Sequence, residues 1–284
     1  MPSQPEKTSR TQSSVWRLIK SPASSAANNM ALDEALLSTT AQKKTLPTLR
    51  LYSWQVPSLS LGYAQPAADV DQAELAKRGW QLVRRPTGGK AILHTDELTY
   101  SISAPLDEPL VAGSLLESYQ RISRALQTAL NMLETNTSAD NIPDLPFEIS
   151  KKEPVCFQTP SNYEITWNGK KLIGSAQARK LGGVLQHGSL PLYGDLSRIT
   201  QVLSYPSQAD RDSAANKTLA QATTLESATG RVISWDQAAE AVIQSFSTEF
   251  GISFIPGQPT SDELTLADEL VQTKYGSDSW NLRI

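Results

Sequence analysis

The sequence predicts an α+β fold, in which helices pack on a mixed or antiparallel β-sheet and a small helical segment lies at the C-terminus. Short segments of alternating polarity are interleaved with segments of helical periodicity, and helix-start signals dominate the last third of the chain. The 284 residues, 39% of them hydrophobic, suit one large domain or two modest ones. We expect a disordered tail over residues 1–14, a main domain over 15–230, and a helical part over 231–284 that packs on the same domain.

The first hundred residues alternate strands and short helices. A strand is predicted at residues 14–19, and a helix follows at 28–37, where Asn28 or Asn29 is the expected N-cap. Residues 49–54 alternate with the period of a strand that has two different faces. The other elements predicted here are strands at 58–61, 81–84 and 98–102, a β residue at Ile92 and a helix at 71–77.

The clearest helical pattern begins at Leu115. Its apolar residues advance by steps of three or four and form one stripe, which predicts a helix that packs on the sheet. The stripe consists of Leu115, Tyr119, Ile122, Leu126, Ala129 and Leu133. Residues 135–154 contain several Pro and Asn residues and no period, so we expect a long loop there.

Two hairpins are expected in the second half of the chain. Apolar residues occupy every second position over residues 163–167, which predicts a strand. The next two residues, Asn168-Gly169, suit a type I′ turn. A second turn at Gly182-Gly183 separates predicted strands at 171–179 and 184–190.

Two sequence patterns mark helix starts in the last third. Ser234-x-x-Gln237 and Thr260-x-x-Glu263 both resemble capping boxes. Apolar residues at helical spacing over 239–250 follow the first of them, so a helix is predicted there.

Composition excludes several classes of protein. With a net charge of −3 and a pI near 5.5, the chain is not built around nucleic-acid phosphates, and no run approaches the length of a membrane span. The polar first residues lack the apolar core of a secretory signal, which favours the cytoplasm. Cys156 is the single cysteine, so no intrachain disulfide is expected, and with His94 and His187 as the two histidines we expect no metal site.

Residues 84–90, Arg-Arg-Pro-Thr-Gly-Gly-Lys, follow a predicted strand. Gly88 and Gly89 let the backbone approach a ligand closely, and Arg84, Arg85 and the final lysine attract an anion. The glycine spacing of a Walker A loop or of a dinucleotide fingerprint is missing. The segment is therefore either an anion-binding loop or a plain strand-connecting turn.

Cys156 lies at the end of the long loop. A lone cysteine there is either a buried structural group or a nucleophile. A nucleophilic thiol needs a partner that favours the thiolate, such as a cation, and the strand after the Asn-Gly turn begins with Lys170 and Lys171. Strand alternation points at most one of these two lysines inward.

Gly174, Ser175 and Ala176 place three small residues in the middle of a predicted strand. Glycine weakens a strand unless another backbone or a ligand approaches closely, so this stretch predicts such an approach. His187, followed by Gly188, belongs to an equally small-residue strand. It is either a ligand-contacting side chain or a half-buried, hydrogen-bonded histidine.

Seven motifs occur in order along the chain. They are Asn-Met-Ala-Leu-Asp-Glu-Ala at 29–35, Arg-Arg-Pro-Thr-Gly-Gly at 84–89, His94, Glu-Leu-Thr-Tyr-Ser at 97–101, Gly-x-Lys-x-x-Gly-Ser-Ala-Gln at 169–177, Leu-Gln-His-Gly-Ser at 185–189 and Lys-Tyr-Gly-Ser-Asp-Ser-Trp-Asn at 274–281. Together they resemble the lipoate-protein ligase A and octanoyltransferase family, whose fold is shared with biotin protein ligases. The resemblance covers about residues 15–281 and implies that fold for this chain.

Within this family the chain is most similar to the cysteine-dependent octanoyltransferases. They carry a Cys-Phe-x-x-Pro-Ser-x-Tyr-Glu segment, which is present here at 156–164. The resemblance implies that Cys156 holds the octanoyl group as a thioester and that Lys171 lowers the pKa of that thiol. It also implies substrate-binding roles for Arg84, Arg85, Gly88, Gly89, His94, Gly174, Ser175, Ala176, His187 and Gly188.

The resemblance also implies the partners. The donor is octanoyl-acyl carrier protein, and the acceptor is a lysine of a lipoyl-domain protein such as the glycine cleavage H protein; neither nucleic acid nor a membrane is an expected partner. No cofactor is implied, because ATP and Mg²⁺ belong to the alternative, an ATP-dependent lipoate-protein ligase. A non-catalytic binding module, which keeps the acyl slot without turnover, is a further alternative.

Two details of the mechanism stay open at this point. Backbone N–H groups near Gly88-Gly89 or near Gly174-Ser175 are expected to receive the oxyanion of the tetrahedral intermediate. Either Lys171 or His187 is expected to help deprotonate the acceptor amine.

Overall fold

The computed structural model describes residues 14–134 and 165–284, and it confirms the predicted α+β class. The strands are β1 (Val15–Lys20), β2 (Thr48–Tyr52), β3 (Ser58–Leu61), β4 (Gln81–Arg84), β5 (Ile92–His94), β6 (Glu97–Pro105), β7 (Ile165–Trp167), β8 (Lys170–Lys180), β9 (Gly183–Pro191) and β10 (Ser253–Pro256). The helices are α1 (Ala26–Ala41), α2 (Gln72–Lys77), α3 (Leu115–Met132), α4 (Gln208–Gln221), α5 (Leu225–Thr229), α6 (Trp235–Phe250), α7 (Ser261–Leu270) and α8 (Asp278–Asn281). The predicted tail, apart from Ser14, and the predicted loop over 135–154 lie outside the described residues.

The strands form two sheets. In the larger sheet the order is β10-β1-β2-β6-β9-β8-β7, with β1 parallel to both of its neighbours and the other pairs antiparallel. In the smaller sheet β3 lies between β4, which is parallel to it, and the antiparallel β5. The larger sheet is therefore mixed, as predicted.

Helices cover both faces of the larger sheet. Tyr100 and Ile102 of β6 join the apolar core that also contains α3 and α6. Ser101, between them, points to the other face, where its hydroxyl donates to Asp33 of α1. Because successive side chains of a strand point to opposite faces, the face of β6 under α1 is polar, and the candidate site lies on that face.

Ser25 caps α1, and not Asn28 or Asn29 as predicted. The Ser25 side chain accepts a hydrogen bond from the N–H of Asn28. Asn29 is fully buried, and its side-chain oxygen accepts a hydrogen bond from Arg50 at 2.7 Å. The helix begins earlier than expected because this asparagine serves a tertiary contact and not the helix end.

The two hairpin turns differ in how well they were predicted. Asn168-Gly169 adopts the left-handed conformation at both residues, with φ of 48° and 72°, as a type I′ turn requires. In the second hairpin the left-handed residues are Leu181 and Gly182, one position earlier than predicted. Gly183 already belongs to the sheet, because it pairs with Lys180 across the hairpin and with the end of β6.

The C-terminal part contains one strand that was not predicted. β10 pairs with β1, and α7 packs against α1. β10 is a short edge strand with mostly exposed side chains, so its sequence lacks the alternation of apolar and polar residues that predicts a strand. The capping boxes that begin at Ser234 and Thr260 start α6 and α7 as predicted, and the boundary at residue 230 stays a prediction. No helix in the described ranges is long and apolar enough to cross a membrane.

Candidate active site

A narrow slot lies between the larger sheet, the smaller sheet and α1. It is lined by Met30, Tyr52, Trp54, Ser60, Arg85, Ile92, His94, Thr99, Gly174, Ser175, Ala176, His187, Gly188 and Ser189. Its free volume is about 20 Å³, which is room for about one water molecule. Of the residues that the family resemblance implied, the slot brings together Arg85, His94, Gly174, Ser175, Ala176, His187 and Gly188. Within the described part of the chain, Arg84, Gly88, Gly89 and Lys171 are not among its lining residues.

Small residues form the wall of the slot on β8. Gly174 pairs with Ser189 of β9, and Ala176 pairs with His187. Several of the other lining residues have larger side chains, among them Met30 of α1. The width of the slot is thus set by residues that were singled out in the sequence for their lack of bulk.

Gly188 shows how closely β8, β9 and β6 approach one another behind this wall. A Cβ atom at this position would lie 2.5 Å from a ring carbon of Tyr100 and 2.8 Å from the carbonyl oxygen of Gly174. The Tyr100 hydroxyl lies 2.7 Å from Oγ of Ser175, and this contact joins β6 to β8 across the glycine. A side chain at position 188 would push these strands apart.

Asp33, fully buried in α1, is the centre of a hydrogen-bond network beside the slot. Arg50 and the Ser101 hydroxyl each donate to Oδ1 at 2.8 Å, and the Tyr52 hydroxyl donates to Oδ2 at 3.0 Å. Burial alone raises the pKa of Asp33, but the charge of Arg50 and the contact with His187 outweigh it and hold this pKa below its ordinary value. Asp33 is therefore ionised at neutral pH and acts only as an acceptor.

His187 connects this network to the Gly-Gly loop. Its Nδ1 lies 3.3 Å from Oδ2 of Asp33, and its Nε2 lies 2.7 Å from Oγ1 of Thr87. Because a carboxylate only accepts, the proton is on Nδ1, and Nε2 accepts the hydrogen bond of the Thr87 hydroxyl. Burial lowers the pKa of His187 below its ordinary value, so the ring is neutral at pH 7.

Glu97 is the centre of a second network of the same kind. Nδ1 of His94 lies 2.7 Å from Oε1 of Glu97, and Nε2 of His94 lies 2.8 Å from Oγ of Ser60. The indole ring of Trp54 stacks on the imidazole, with 4.0 Å between the ring centroids and 11° between the planes. Burial alone raises the pKa of Glu97, but His94 and two hydroxyl donors hold it below its ordinary value.

Arg84 is a structural residue in this geometry. Its guanidinium is buried and donates to the carbonyl oxygens of Gly62 at 2.8 Å, Gln65 at 2.6 Å and Asn281 at 2.9 Å. These contacts tie α8 to the smaller sheet. The structure therefore does not bring Arg84 to the slot, because main-chain carbonyls already engage the guanidinium from which anion binding was expected.

Arg85 reaches the slot and also holds the loop over residues 84–90. Its NH2 donates to the carbonyl oxygens of Gly88 at 2.8 Å and Lys90 at 2.7 Å. Its NH1 donates to Oγ of Ser60 at 3.2 Å. Arg85 thus links the Gly-Gly loop to the second network.

Lys171 is buried at the start of β8, and Cys156 lies outside the described residues. Lys171 pairs with Thr166, and its carbonyl oxygen accepts the N–H of Thr223 at 3.0 Å. The preceding Lys170 is less buried, and its Nζ donates to the carbonyl oxygen of Leu219 at 2.8 Å. The two lysines therefore differ in burial and in partners, with Lys171 the more enclosed.

Asp33 and Glu97 belong to two of the sequence motifs, but no role was predicted for either of them. A signal was available for Asp33, which lies three residues after Met30 and four before Leu37, on the buried stripe of α1. A charged residue on such a stripe predicts a buried partner, because an unpaired buried charge is costly. Ser60 and Thr87 carried no comparable signal, since single hydroxyl residues are common in strands and turns.

No group of three or more His, Cys, Asp or Glu side chains in residues 14–134 and 165–284 is arranged to hold a metal ion. The carboxylates of Asp33 and Glu97 are instead each occupied by hydrogen-bond donors of the protein.

Known proteins share both the fold and the motifs of this chain. The model of the lipoyl protein ligase A/B catalytic domain family matches residues 25–247. The octanoyltransferase LipM of Brevibacillus brevis is 37% identical over 272 residues, which cover 94% of this chain and 99% of the relative. The octanoyltransferase LipM of Kyrpidia tusciae is 39% identical over 272 residues, covering 95% of this chain and 99% of the relative.

Two solved structures share this architecture. Lipoate-protein ligase A bound with ATP superposes with a TM-score of 0.75 at 25% identity, covering 95% of this chain and 98% of that one. A bipartite lipoate protein ligase from Thermoplasma acidophilum has a TM-score of 0.76 at 24% identity, covering 95% of this chain and 96% of that one. These matches confirm the resemblance predicted from the motifs, including the similarity to the octanoyltransferases.

Proposed function

Because the chain belongs to the lipoyl protein ligase A/B catalytic domain family, we propose that it transfers an octanoyl group, through a thioester on Cys156, to a lysine of a lipoyl-domain protein. The relatives named octanoyltransferase LipM cover nearly the whole chain at 37% and 39% identity. The enzyme is therefore an acyltransferase, and ATP-dependent ligation is the less favoured alternative.

The observation that supports this function best is the slot along β8. Its wall of small residues runs from Gly174 to Ala176, and Lys171 lies three residues before it on the same strand. At 3.3 Å per residue this separation is about 10 Å. An acyl chain whose carbonyl carbon lies near Lys171 thus has an adjoining space for its methylene groups.

The slot must widen to admit the chain. A free volume of about 20 Å³ is far too small for eight carbons, so side chains have to move. Met30 lines the slot, and its unbranched thioether side chain adapts easily to a new shape. Burial of the chain offers roughly 5 kcal/mol at about 0.8 kcal/mol per methylene, which offsets this rearrangement.

We assign the thiol of Cys156 as the nucleophile and the ammonium of Lys171 as the group that favours the thiolate. A free thiol with a pKa of about 8.5 is only slightly ionised at pH 7, and lowering the pKa by two units, worth about 2.7 kcal/mol, makes the thiolate dominant. The thiolate attacks the thioester carbonyl of the donor. In the described residues β7 pairs only with the start of β8, so from Gly174 onward one edge of β8 has no strand neighbour, which supports an oxyanion site there.

The partners we propose are octanoyl-acyl carrier protein as donor and the glycine cleavage H protein, or another lipoyl-domain protein, as acceptor. The supporting observation is the similarity to enzymes that are named for octanoyl transfer. We place the reaction in the cytoplasm and propose that it needs no cofactor.

Intact-mass spectrometry of the full-length enzyme tests the proposal. Incubation with octanoyl-acyl carrier protein, without ATP, should add one octanoyl group that hydroxylamine removes, and peptide mapping should locate it on Cys156. Cys156→Ser should fold normally and lose the hydroxylamine-sensitive adduct. An enzyme that forms no adduct but attaches free lipoate with ATP, even as Cys156→Ala, is a ligase and contradicts the proposal.

A further inference from the structure

A second cavity lies beside the turn that joins β7 to β8. It is an open cleft with a free volume of about 530 Å³, which is within the usual range for small-molecule sites and far larger than the slot. Its lining residues come from the β7–β8 hairpin, from the segment after β9 and from the segment that joins α4 to α5. They are Trp167, Asn168, Lys170, Gly194, Leu196, Leu219, Ala222, Thr223, Thr224 and Ser227.

The cleft and the slot follow one another along β8. Lys170 lines the cleft, Gly174 lines the slot, and Lys171 lies between them in the strand. The backbone of Lys171 joins residues of the cleft, because its carbonyl oxygen accepts the N–H of Thr223 at 3.0 Å and it pairs with Ala222. From Gly174 to Lys170 the strand covers four residues, or about 13 Å. A linear ligand that leaves the slot along β8 therefore passes Lys171 and reaches the cleft.

The lining of the cleft combines apolar and polar groups. Trp167, Leu196 and Leu219 contribute apolar surface, and Leu219 is 45% exposed. The amide of Asn168 and three hydroxyl residues of the α4–α5 segment contribute hydrogen-bonding groups. This mixture suits a ligand that has both apolar carbons and amide groups, since small-molecule sites pair apolar walls with a few polar contacts.

Lys170 gives the cleft a positive charge. It is the only charged side chain among the lining residues that the structure describes. Its ammonium donates to the carbonyl oxygen of Leu219 at 2.8 Å, and an ammonium has three N–H donors in all. Further donors thus remain for an anionic ligand, whereas the same charge repels a cation such as a protonated lysine.

We propose that this cleft holds the phosphopantetheine arm of the acyl carrier protein, with Lys170 at the phosphate; the inference rests on the proposed function. The arm has two amides and about thirteen bonds between phosphorus and sulfur, so it extends to about 16 Å at roughly 1.2 Å per bond. That length matches the 13 Å or so from Gly174 to Lys170 together with the length of the Lys170 side chain. The octanoyl chain and the arm leave the thioester in opposite directions, so an octanoyl group in the slot directs the arm past Lys171.

Short donors separate the arm from the body of the carrier. Full-length enzyme is loaded from octanoyl-phosphopantetheine or from octanoyl-N-acetylcysteamine, which keeps the thioester but lacks the phosphate and most of the arm. Intact mass follows the adduct and gives kcat/KM for loading. Wild type should prefer octanoyl-phosphopantetheine by about tenfold or more, the usual effect of one hydrogen bond to a charged group.

Two variants test the contact and the space separately. Lys170→Met should raise KM for octanoyl-phosphopantetheine about tenfold and leave loading from octanoyl-N-acetylcysteamine within about twofold of wild type. Ser227→Trp places a large ring in the cleft from an exposed position of α5 and should discriminate between the donors in the same direction. Lys43→Met is the matched control, since this exposed lysine pairs with Asp107 and does not line the cleft.

The outcomes separate the cleft from the proposed function. The cleft is refuted as the arm site if wild type loads both short donors equally well, if the two variants slow both donors alike, or if the variants leave loading from octanoyl-acyl carrier protein unchanged. It is also refuted if Ser227→Trp loads normally but passes the group to the lipoyl domain more slowly, because the cleft then receives the acceptor. An enzyme that loads Cys156 from none of the three donors contradicts the proposed function itself, and the arm site falls with it.

Discussion

Arg50 and Asp33 form a buried salt bridge, and replacing the arginine should lower the free energy of unfolding substantially. The N–O distance is 2.8 Å, and the two side chains are 1% and 0% exposed. Arg50 also donates to Oδ1 of Asn29 at 2.7 Å and lies 3.9 Å from the centre of the Tyr52 ring. Loss of one partner of a buried ion pair costs about 3–5 kcal/mol, because the other charge stays buried. Since Tyr52 and His187 still donate to Asp33, we expect the lower end, about 3 kcal/mol, for Arg50→Met.

This loss of stability should shrink in acid. With Arg50 present, the pKa of Asp33 in the folded protein lies below its ordinary value of 3.8. The ionised carboxylate therefore stabilises the wild type above that value, and the contribution is lost as the pH falls through the folded-state pKa. Without Arg50 we expect burial to raise the pKa of Asp33 instead, so the variant binds a proton on folding and its deficit grows as the pH rises through that higher pKa.

Urea unfolding, followed by tryptophan fluorescence at pH 7 and pH 5, measures both effects. Arg78→Met is the matched control, because the salt bridge of Arg78 with Glu74 is partly exposed and such pairs contribute at most about 1 kcal/mol. Asp33→Asn in the Arg50→Met background should recover part of the lost stability. A deficit below about 1 kcal/mol for Arg50→Met at pH 7, or one that is larger at pH 5 than at pH 7, refutes the reasoning.

Three further changes test other parts of the site. Lys171→Ala should raise the pKa of the cysteine thiol, read from the alkylation rate against pH, whereas the neighbouring Lys170→Ala should leave that profile unchanged; equal profiles for the two variants would contradict the pairing. Ala176→Phe narrows the slot, so the rate of transfer should fall more for an eight-carbon chain than for a four-carbon chain. An unaltered chain-length preference would show that the slot does not bind the acyl chain. Gly188→Ala places a Cβ atom 2.5 Å from Tyr100 and should lower the free energy of unfolding by about 1–3 kcal/mol, so an unchanged thermal midpoint would show that the strands yield freely.

The parts of the fold that were predicted correctly depend on local signals. Asn168-Gly169 sets its turn through the φ angles of two adjacent residues, and the capping boxes at Ser234 and Thr260 involve residues only three positions apart. The N-cap of α1 was predicted wrongly because Asn29 looks like a cap in isolation but binds Arg50 across the core. β10 was missed because its partner, β1, lies more than two hundred residues earlier.

The features of the site likewise fall into those that local sequence predicts and those that depend on tertiary contacts. The sequence alone determined the family, the order of the motifs and the small residues of β8, because each of these can be recognised from residues that are adjacent in the chain. Tertiary structure alone decided that Arg84 holds α8 while Arg85 reaches the slot, although the two are adjacent in the chain. It also decided that Asp33 meets His187, 154 positions later, since chain reversal, and not spacing along the chain, brings a helix and a strand to one polar face. Hydrogen bonds act over about 3 Å, so which hydroxyl, imidazole and carboxylate form a series depends on packing that no short motif records.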